Sequence, residues 1–222
     1  LILLGRNLGN LESTKNLLKN PSQHQCQPCD IRNSGEIHQA LANVSSLYGL
    51  IANAGLGGEN QYGEQDRWQE IIDTNLTGTY QTVQECLPLI KKNPAPFKKI
   101  IIISSILARL GVPGYSGYCA SKAGLLGLTR SLAGEYSNDG ILVNALCPGW
   151  VDTKMAEEGL QGFADTLKIS KEDAYKEAMK QVPLGKLSKP EEVAQLVAYL
   201  VSEEQTSLTG QTLHINNGAL MP

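Results

Sequence analysis

The sequence predicts a doubly wound α/β domain: a parallel β-sheet covered by helices on both faces, three layers in α/β/α order. Three observations carry that prediction. Short apolar runs alternate with longer stretches of helical periodicity along the whole chain. One run, Ile100–Ile103, is isoleucine without a polar break, as suits a strand buried on both faces of a parallel sheet. The runs also end on Gly, Asn, Ser or Pro, residues that turn a chain. At 222 residues the chain can bury a sizeable core, and no repeat, low-complexity tract or linker divides it. A single domain over residues 1–222 is expected.

Taken in order, Leu1–Leu4 is apolar and stops at Gly5-Arg6-Asn7, which predicts a strand. Helical spacing follows from Leu8 to Leu18, and Gln23–Cys29 reads as the next strand. Asn33 or Ser34 can cap a helix running to about Ser46. Leu50–Ala52 is a short strand leading into Asn53-Ala54-Gly55. A long helix is expected over Trp68–Lys92, with Pro88 kinking or ending it. Lys99–Ser104 is the clearest strand. A helix over Gly117–Ser137 and a strand over Leu142–Cys147, stopped by Pro148-Gly149, come next. A polar segment at about 154–183 holds helical stretches around Lys154–Phe163 and Ser170–Gln181. Pro190-Glu191-Glu192 opens a helix with proline in its first turn and acids at its positive end. Gln211–Ile215 is the last strand.

Composition excludes several function classes. Lys plus Arg number 19 against 22 Asp plus Glu, a formal net charge of −3. An acidic chain without a basic stripe is a poor binder of nucleic acid or anionic membrane. No apolar stretch is long enough to span a bilayer. The five cysteines are odd in number, scattered and without a signal peptide, so reduced thiols in a cytoplasmic protein are expected. Cys26-Gln-Pro-Cys29 has redox or zinc spacing, but His24, His38 and His214 are dispersed, and no metal is expected.

In a parallel sheet, ligands bind outside the carboxyl ends of the strands. That rule gathers Gly5-Arg6, Asp30-Ile31, Asn53-Ala54-Gly55, Ser104-Ser105 and Pro148-Gly149 along one sheet edge. Tyr118 and Lys122 lie four apart on a helix, so phenol and ammonium share a face. A free tyrosine titrates near 10, and a neighbouring cation favours the phenolate. Ser105 ends the isoleucine strand on the same edge, where its hydroxyl can donate to a substrate oxygen. Taken alone, the Tyr–Lys pair is more often a solvated helix face and Ser105 a satisfied loop serine. No Gly-x-Ser-x-Gly elbow or His–acid pair supports a hydrolase.

Together, Asn53-Ala54-Gly55, Asn75, Ser105, Tyr118-x-x-x-Lys122, Pro148-Gly149-Trp150-Val151-Asp152-Thr153 and the closing Asn217-Gly218 resemble the short-chain dehydrogenase/reductase superfamily. The resemblance covers the whole chain. The stretches QVPLGKLSKPEEVAQLVAYL and TGQTLHINNG are similar to 3-oxoacyl-(acyl-carrier-protein) reductases and related ketoreductases. It implies a Rossmann-like fold and a hydride exchange between a nicotinamide cofactor and a ketone or secondary alcohol. Tyr118 would be the general acid or base, and Ser105 would polarise the substrate oxygen. Lys122 would lower the Tyr118 pKa and bind the nicotinamide ribose, and Asn75 would hold a water linking Lys122 to solvent. The cofactor would lie along Asn53, Ala54 and Gly55, with Asp30 on adenine, Ile31 packing beside the ring, and Pro148, Gly149, Val151 and Thr153 near the carboxamide. Gly5-Arg6-Asn7 carries no acid for a ribose 2′-hydroxyl, whereas Arg6 suits a 2′-phosphate. NADP(H) is therefore preferred, with NAD(H) possible.

Two departures from the family pattern bear on function. The glycine-rich turn between the family's first strand and first helix is not in this sequence. Leu1 reads as lying in the family's second strand, so the first strand, central in such a sheet, the phosphate loop and the first helix have no counterpart in this sequence. The segment at about 154–183 is expected to be a substrate lid, long for a compact acyl-carrier reductase. Asn138-Asp139 stands where those reductases often carry a basic residue, while Lys91, Lys92, Lys98 and Lys99 offer positive charge nearby. Leu107, Leu110, Val112, Trp150 and Met155 would line an apolar pocket, or serve as ordinary packing. The leading expectation is a 3-oxoacyl-type ketoreductase. Dehydrogenation of a small hydroxy acid, sugar or steroid alcohol, and a catalytically dead scaffold, are the alternatives. The two long helices carry more apolar residues than one buried face requires, and the resemblance implies that they pair between subunits in a homodimer or homotetramer.

Overall fold

The computed structural model describes residues 1–221. Its strands form two parallel sheets. β1 (Ile2–Gly5) pairs with β2 (Gln25–Pro28), Ile2 opposite Gln25. β3 (Gly49–Ala52), β4 (Lys98–Ile103), β5 (Ile141–Pro148) and β6 (Thr212–Ile215) form the second sheet in that order. Among the described residues nothing pairs with the other edge of β3, and Ile51 at its centre remains 47% exposed. The break between β1 and β3 falls where the resemblance puts the family's first strand.

The isoleucine run behaves as its sequence demands. Ile100 and Ile102 enter the core beneath the helices α2 (Ser34–Leu41), α4 (Gly78–Lys91) and α5 (Ser116–Tyr136), with Ile37, Leu41, Val83, Cys86, Ile90 and Leu125. Ile101 faces the other way with Leu146, against Leu200 and Val193 of α8 (Pro190–Val201). Each such fully buried side chain contributes roughly 1.5–3 kcal/mol. Because α2 packs on α4 and Ile31 joins the same core, the β1–β2 pair is tied to the larger sheet through helices.

Most boundaries lie within a few residues of the sequence reading; α2 and the long helix differ. α1 (Leu8–Leu17) is capped by Asn7, and α2 by Asn33, whose side chains accept helix N–H bonds. α2 stops at Leu41, well short of Ser46, because Asn43, Val44, Ser45 and Ser46 are weak helix formers. The long helix begins as α3 (Trp68–Ile72), passes through a π turn at Asp73–Thr77, and continues as α4 through Pro88 to Lys91. Finally, Lys98 and Lys99 supply no surface charge near the site. Both are buried at the amino end of β4, away from the ligand edge, with their ammonium groups on the carbonyls of Asp139 and Gln205. Lys91 is spent on Asp139, 2.8 Å away.

After β5, α6 (Lys154–Leu167) and α7 (Lys171–Lys180) pack on each other around Leu160, Ala178, Met179 and Val182. Among the described residues no helix is long and apolar enough to cross a membrane.

Candidate active site

The parallel registers bring the carboxyl ends of β3, β4 and β5 together on one edge, and the side chains there converge. Ser105, two residues beyond the β4 end, is 9% exposed, and its oxygen accepts the Leu107 N–H at 3.1 Å. That bond occupies a lone pair and leaves the hydroxyl hydrogen free to donate. Tyr118 and Lys122 sit in the first turns of α5. The Lys122 ammonium lies 5.7 Å from the centre of the Tyr118 ring and donates to the Ile103 carbonyl at 3.0 Å.

Burial dominates the titration of both groups. It pushes the Tyr118 phenol above its ordinary value, while the adjacent Ser105 hydroxyl pulls in the opposite direction. It holds the Lys122 ammonium down, to about 8. The net direction for the phenol is therefore upward, with burial the largest cause and Ser105 the group that opposes it.

Asn75 stands in the π turn, fully buried. Its side-chain oxygen accepts the Leu56 N–H at 2.7 Å, and its amide donates to the Leu56 carbonyl at 2.9 Å and the Ser121 hydroxyl at 3.1 Å. Both amide hydrogens are therefore committed inside the protein. Gly55 fits closely beside it: a Cβ there would meet Asn75 Oδ1 at 3.2 Å and Lys122 Nζ at 3.4 Å. Two serines hold this helix: Ser104, which the sequence places at the strand end without a role, and Ser121, which sequence reasoning missed. Ser121 donates to the Tyr118 carbonyl and Ser104 to the Lys122 carbonyl, each at 2.8 Å. The only signal for Ser121 was proximity to the named residues.

The remaining expected residues divide between two places. Asn53 and Ala54 are exposed beyond β3. Gly149 allows Asn216 to approach so closely that a Cβ would lie 2.9 Å from its side chain. Val151 bridges to Ser188, and Thr153 caps α6. Met155 rests on Gly57, while Trp150 packs on Gly159 within the α6–α7 cluster. Leu107 is half-buried, and Leu110 and Val112 are exposed. Arg6 and Asp30 lie on the smaller sheet, at a cavity of about 300 Å³ lined by Arg6, Pro28, Cys29, Asp30 and Glu36. Arg32, also missed, grips the Asp30 carboxylate, with Nη2 2.6 Å from Oδ2, and holds it below the usual carboxylate range. Ile31 corrects an expectation. Its side chain is in the core, pressed against Gly78, and cannot pack beside a ring at the surface.

Known proteins share this arrangement. The family described as enoyl-(acyl carrier protein) reductase matches residues 1–219. A 3-oxoacyl-(acyl-carrier-protein) reductase from Rickettsia prowazekii is 36% identical over 224 residues, covering 99% of this chain and 86% of its own. A putative ketoacyl reductase from Streptomyces coelicolor is 34% identical, covering 86% of this chain and 75% of its own. The crystal structure of an actinorhodin polyketide ketoreductase variant with NADPH superposes with a TM-score of 0.90 at 30% identity, covering 98% and 86%. A 3-oxoacyl-(acyl-carrier protein) reductase from Brucella melitensis with bound NAD shares the fold at a TM-score of 0.81 and 24% identity, covering 100% and 81%.

Proposed function

The chain belongs to the short-chain dehydrogenase/reductase family and is an oxidoreductase of CH–OH groups using a nicotinamide cofactor, and we propose that it is an NADPH-preferring ketoreductase of 3-oxoacyl-type substrates. The observation that carries this reading is the convergence of Ser105, Tyr118 and Lys122 on one sheet edge, with Gly55 packed closely against Asn75 and Lys122. A cofactor fits the residues present: Gly55 lets the backbone after β3 lie close to Lys122, and Arg6 is an exposed guanidinium on the rim of the β1–β2 cavity. When bound, the nicotinamide supplies the hydride.

The chain's own groups do the rest. The free Ser105 hydrogen orients and polarises a carbonyl oxygen. Tyr118, its pKa raised, stays protonated near neutrality and donates to that oxygen as negative charge develops there. Lys122, still cationic below about 8, stabilises the phenolate left behind. Asn75 and Ser121 hold the geometry. A phenol kept protonated favours reduction of a ketone over oxidation of an alcohol. Arg6, with Arg32 neutralising Asp30, gives the adenosine end the charge that a 2′-phosphate prefers.

The α6–α7 pair serves as the substrate lid of this single domain, Met155 closing on Gly57. Five free cysteines fit the reducing cytoplasm. The α5 face carrying Ala120, Ala123, Gly127 and Arg130 is exposed beside Tyr80 of α4, which supports pairing of subunits into a dimer or tetramer.

The test is turnover of NADPH and NADH with a 3-oxoacyl thioester, a simple ketone and a 2-enoyl thioester. Reduction of the 3-oxo substrate, lost by about 10²–10⁴ in Tyr118→Phe with cofactor binding kept, supports the reading. Turnover of the enoyl substrate alone, or of the ketone by Tyr118→Phe at the wild-type rate, overturns it. Tight cofactor binding without turnover of any substrate would make the protein a scaffold.

A further inference from the structure

A second buried asparagine stands on the far side of Tyr118 from Asn75. Asn60 is 1% exposed, although most of the loop around it, residues 56–67, is at least partly open to solvent. All its polar groups are engaged. Its N–H donates to the Gly114 carbonyl at 2.8 Å, and its own carbonyl accepts the Arg67 N–H at 2.7 Å. Its side-chain oxygen accepts the Gly117 N–H at 2.8 Å, and its amide donates to Asp66 Oδ1 at 3.1 Å. The same Asp66 oxygen accepts the Trp68 N–H at 3.0 Å, at the start of α3.

Helix α5 needs this partner. Its N-cap residue, Tyr115, makes no side-chain capping bond, and the first N–H groups of a helix have no partner within the helix. Asn60 supplies the missing cap from a distant part of the chain, directly before Tyr118. The site of attachment is over-determined: the next residue, Gln61, is held at φ 59°, a region that non-glycine residues seldom adopt unless their surroundings hold them there.

We infer that Asn60 is a positioning residue for Tyr118, acting as the counterpart of Asn75. Both asparagines staple the loop after β3 to α5, one through Gly117 and the other through Ser121, and Tyr118 lies between those two points. The loop also carries Leu56, bonded to Asn75, and Gly57, under Met155 of the lid. A shift of the loop is therefore transmitted to the turn that presents the phenol. The inference rests on the proposed reductase activity for its catalytic consequence only.

The test uses Asn60→Ala, Asn60→Asp and the double exchange Asn60→Asp/Asp66→Asn. The single aspartate sets two carboxylates together. The exchange restores the bond to Gly117 and the bond within the pair, since an aspartate accepts from Gly117 and from an asparagine amide at 66; the Trp68 N–H, which shares that one Asp66 oxygen in the wild type, must turn to the other side-chain atom. Four quantities are read: kcat, KM, the affinity for NADPH, and exchange of the Gly117 amide in the free protein. In Asn60→Ala we expect kcat to fall between about ten- and a hundredfold. NADPH affinity should hold and Gly117 exchange should quicken; Asn60→Asp should fare worse and the double exchange should recover both readouts. Wild-type kcat in Asn60→Ala, or a double exchange that recovers Gly117 protection but not kcat, overturns the inference. If the wild type itself turns over nothing, the reductase reading has failed. The exchange pattern then decides the staple alone: unchanged Gly117 protection in Asn60→Ala refutes it.

Discussion

Replacing Lys122 by methionine should destroy activity and stabilise the protein. The ammonium is buried, and its pKa falls from 10.5 to about 8. At 1.36 kcal/mol per pH unit, holding that charge inside costs about 3 kcal/mol at neutral pH. Methionine has similar length and no charge. It leaves the Ile103 carbonyl without its donor, a loss of about 1 kcal/mol, so the net gain is about 2 kcal/mol. For a domain of this size that raises Tm by about 4–8 °C. The gain must also depend on pH. Between about 8 and 10.5 the unfolded chain binds a proton that the folded one has released, so wild-type stability rises with pH through that window. The advantage of Lys122→Met is therefore full below pH 8 and fades towards 10.5. Urea unfolding of both proteins, without cofactor, at several pH values measures it. A variant less stable than wild type at pH 7, or an advantage that does not shrink with pH, would refute the reasoning.

Two further substitutions separate the ends of the cofactor site. Arg6→Ala should weaken NADPH binding about tenfold, the value of one charge-assisted contact, and leave NADH within about twofold; fluorescence titrations with both cofactors check it, and equal losses would remove Arg6 from the phosphate site. Gly55→Ala puts a methyl 3.2 Å from Asn75 Oδ1 and 3.4 Å from Lys122 Nζ, so those buried groups must shift to admit it: affinity for both cofactors should fall alike, by about tenfold or more, and Tm should fall with it; equal affinities in variant and wild type would refute the close fit.

What was legible in the sequence was whatever depends on local pattern. The isoleucine run, the capping residues Asn7 and Asn33, and the four-residue spacing of Tyr118 and Lys122 needed only neighbours along the chain. What escaped depends on which distant side chains meet. Lys98 and Lys99 read as surface charge, because a lysine that buries its stem and ends on a carbonyl looks the same in one dimension. Ile31 follows Asp30 at a strand end, yet its direction is set by Gly78, whose missing side chain makes room for it. Arg32 was passed over because its value comes from neutralising Asp30 in three dimensions. The phenol of Tyr118 was expected low and lies high, since the sequence shows the nearby cation but not the depth of burial.

The π turn at Asp73–Thr77 has a consequence for how this chain can vary. A helix advances about 100° per residue, and a π turn holds one residue more than the α-helical path requires. Deleting a residue there would mend the hydrogen-bond ladder, but it would rotate α3 against α4 by about that angle. With α4 locked into the core by Val83, Cys86 and Ile90, the rotation falls on Ile71 and the α3 contacts to α5, and Asn75 loses its line to Leu56. A shorter and intrinsically better helix is thus closed to this lineage for as long as the asparagine is needed. The irregularity is what keeps Asn75 on its line to Leu56.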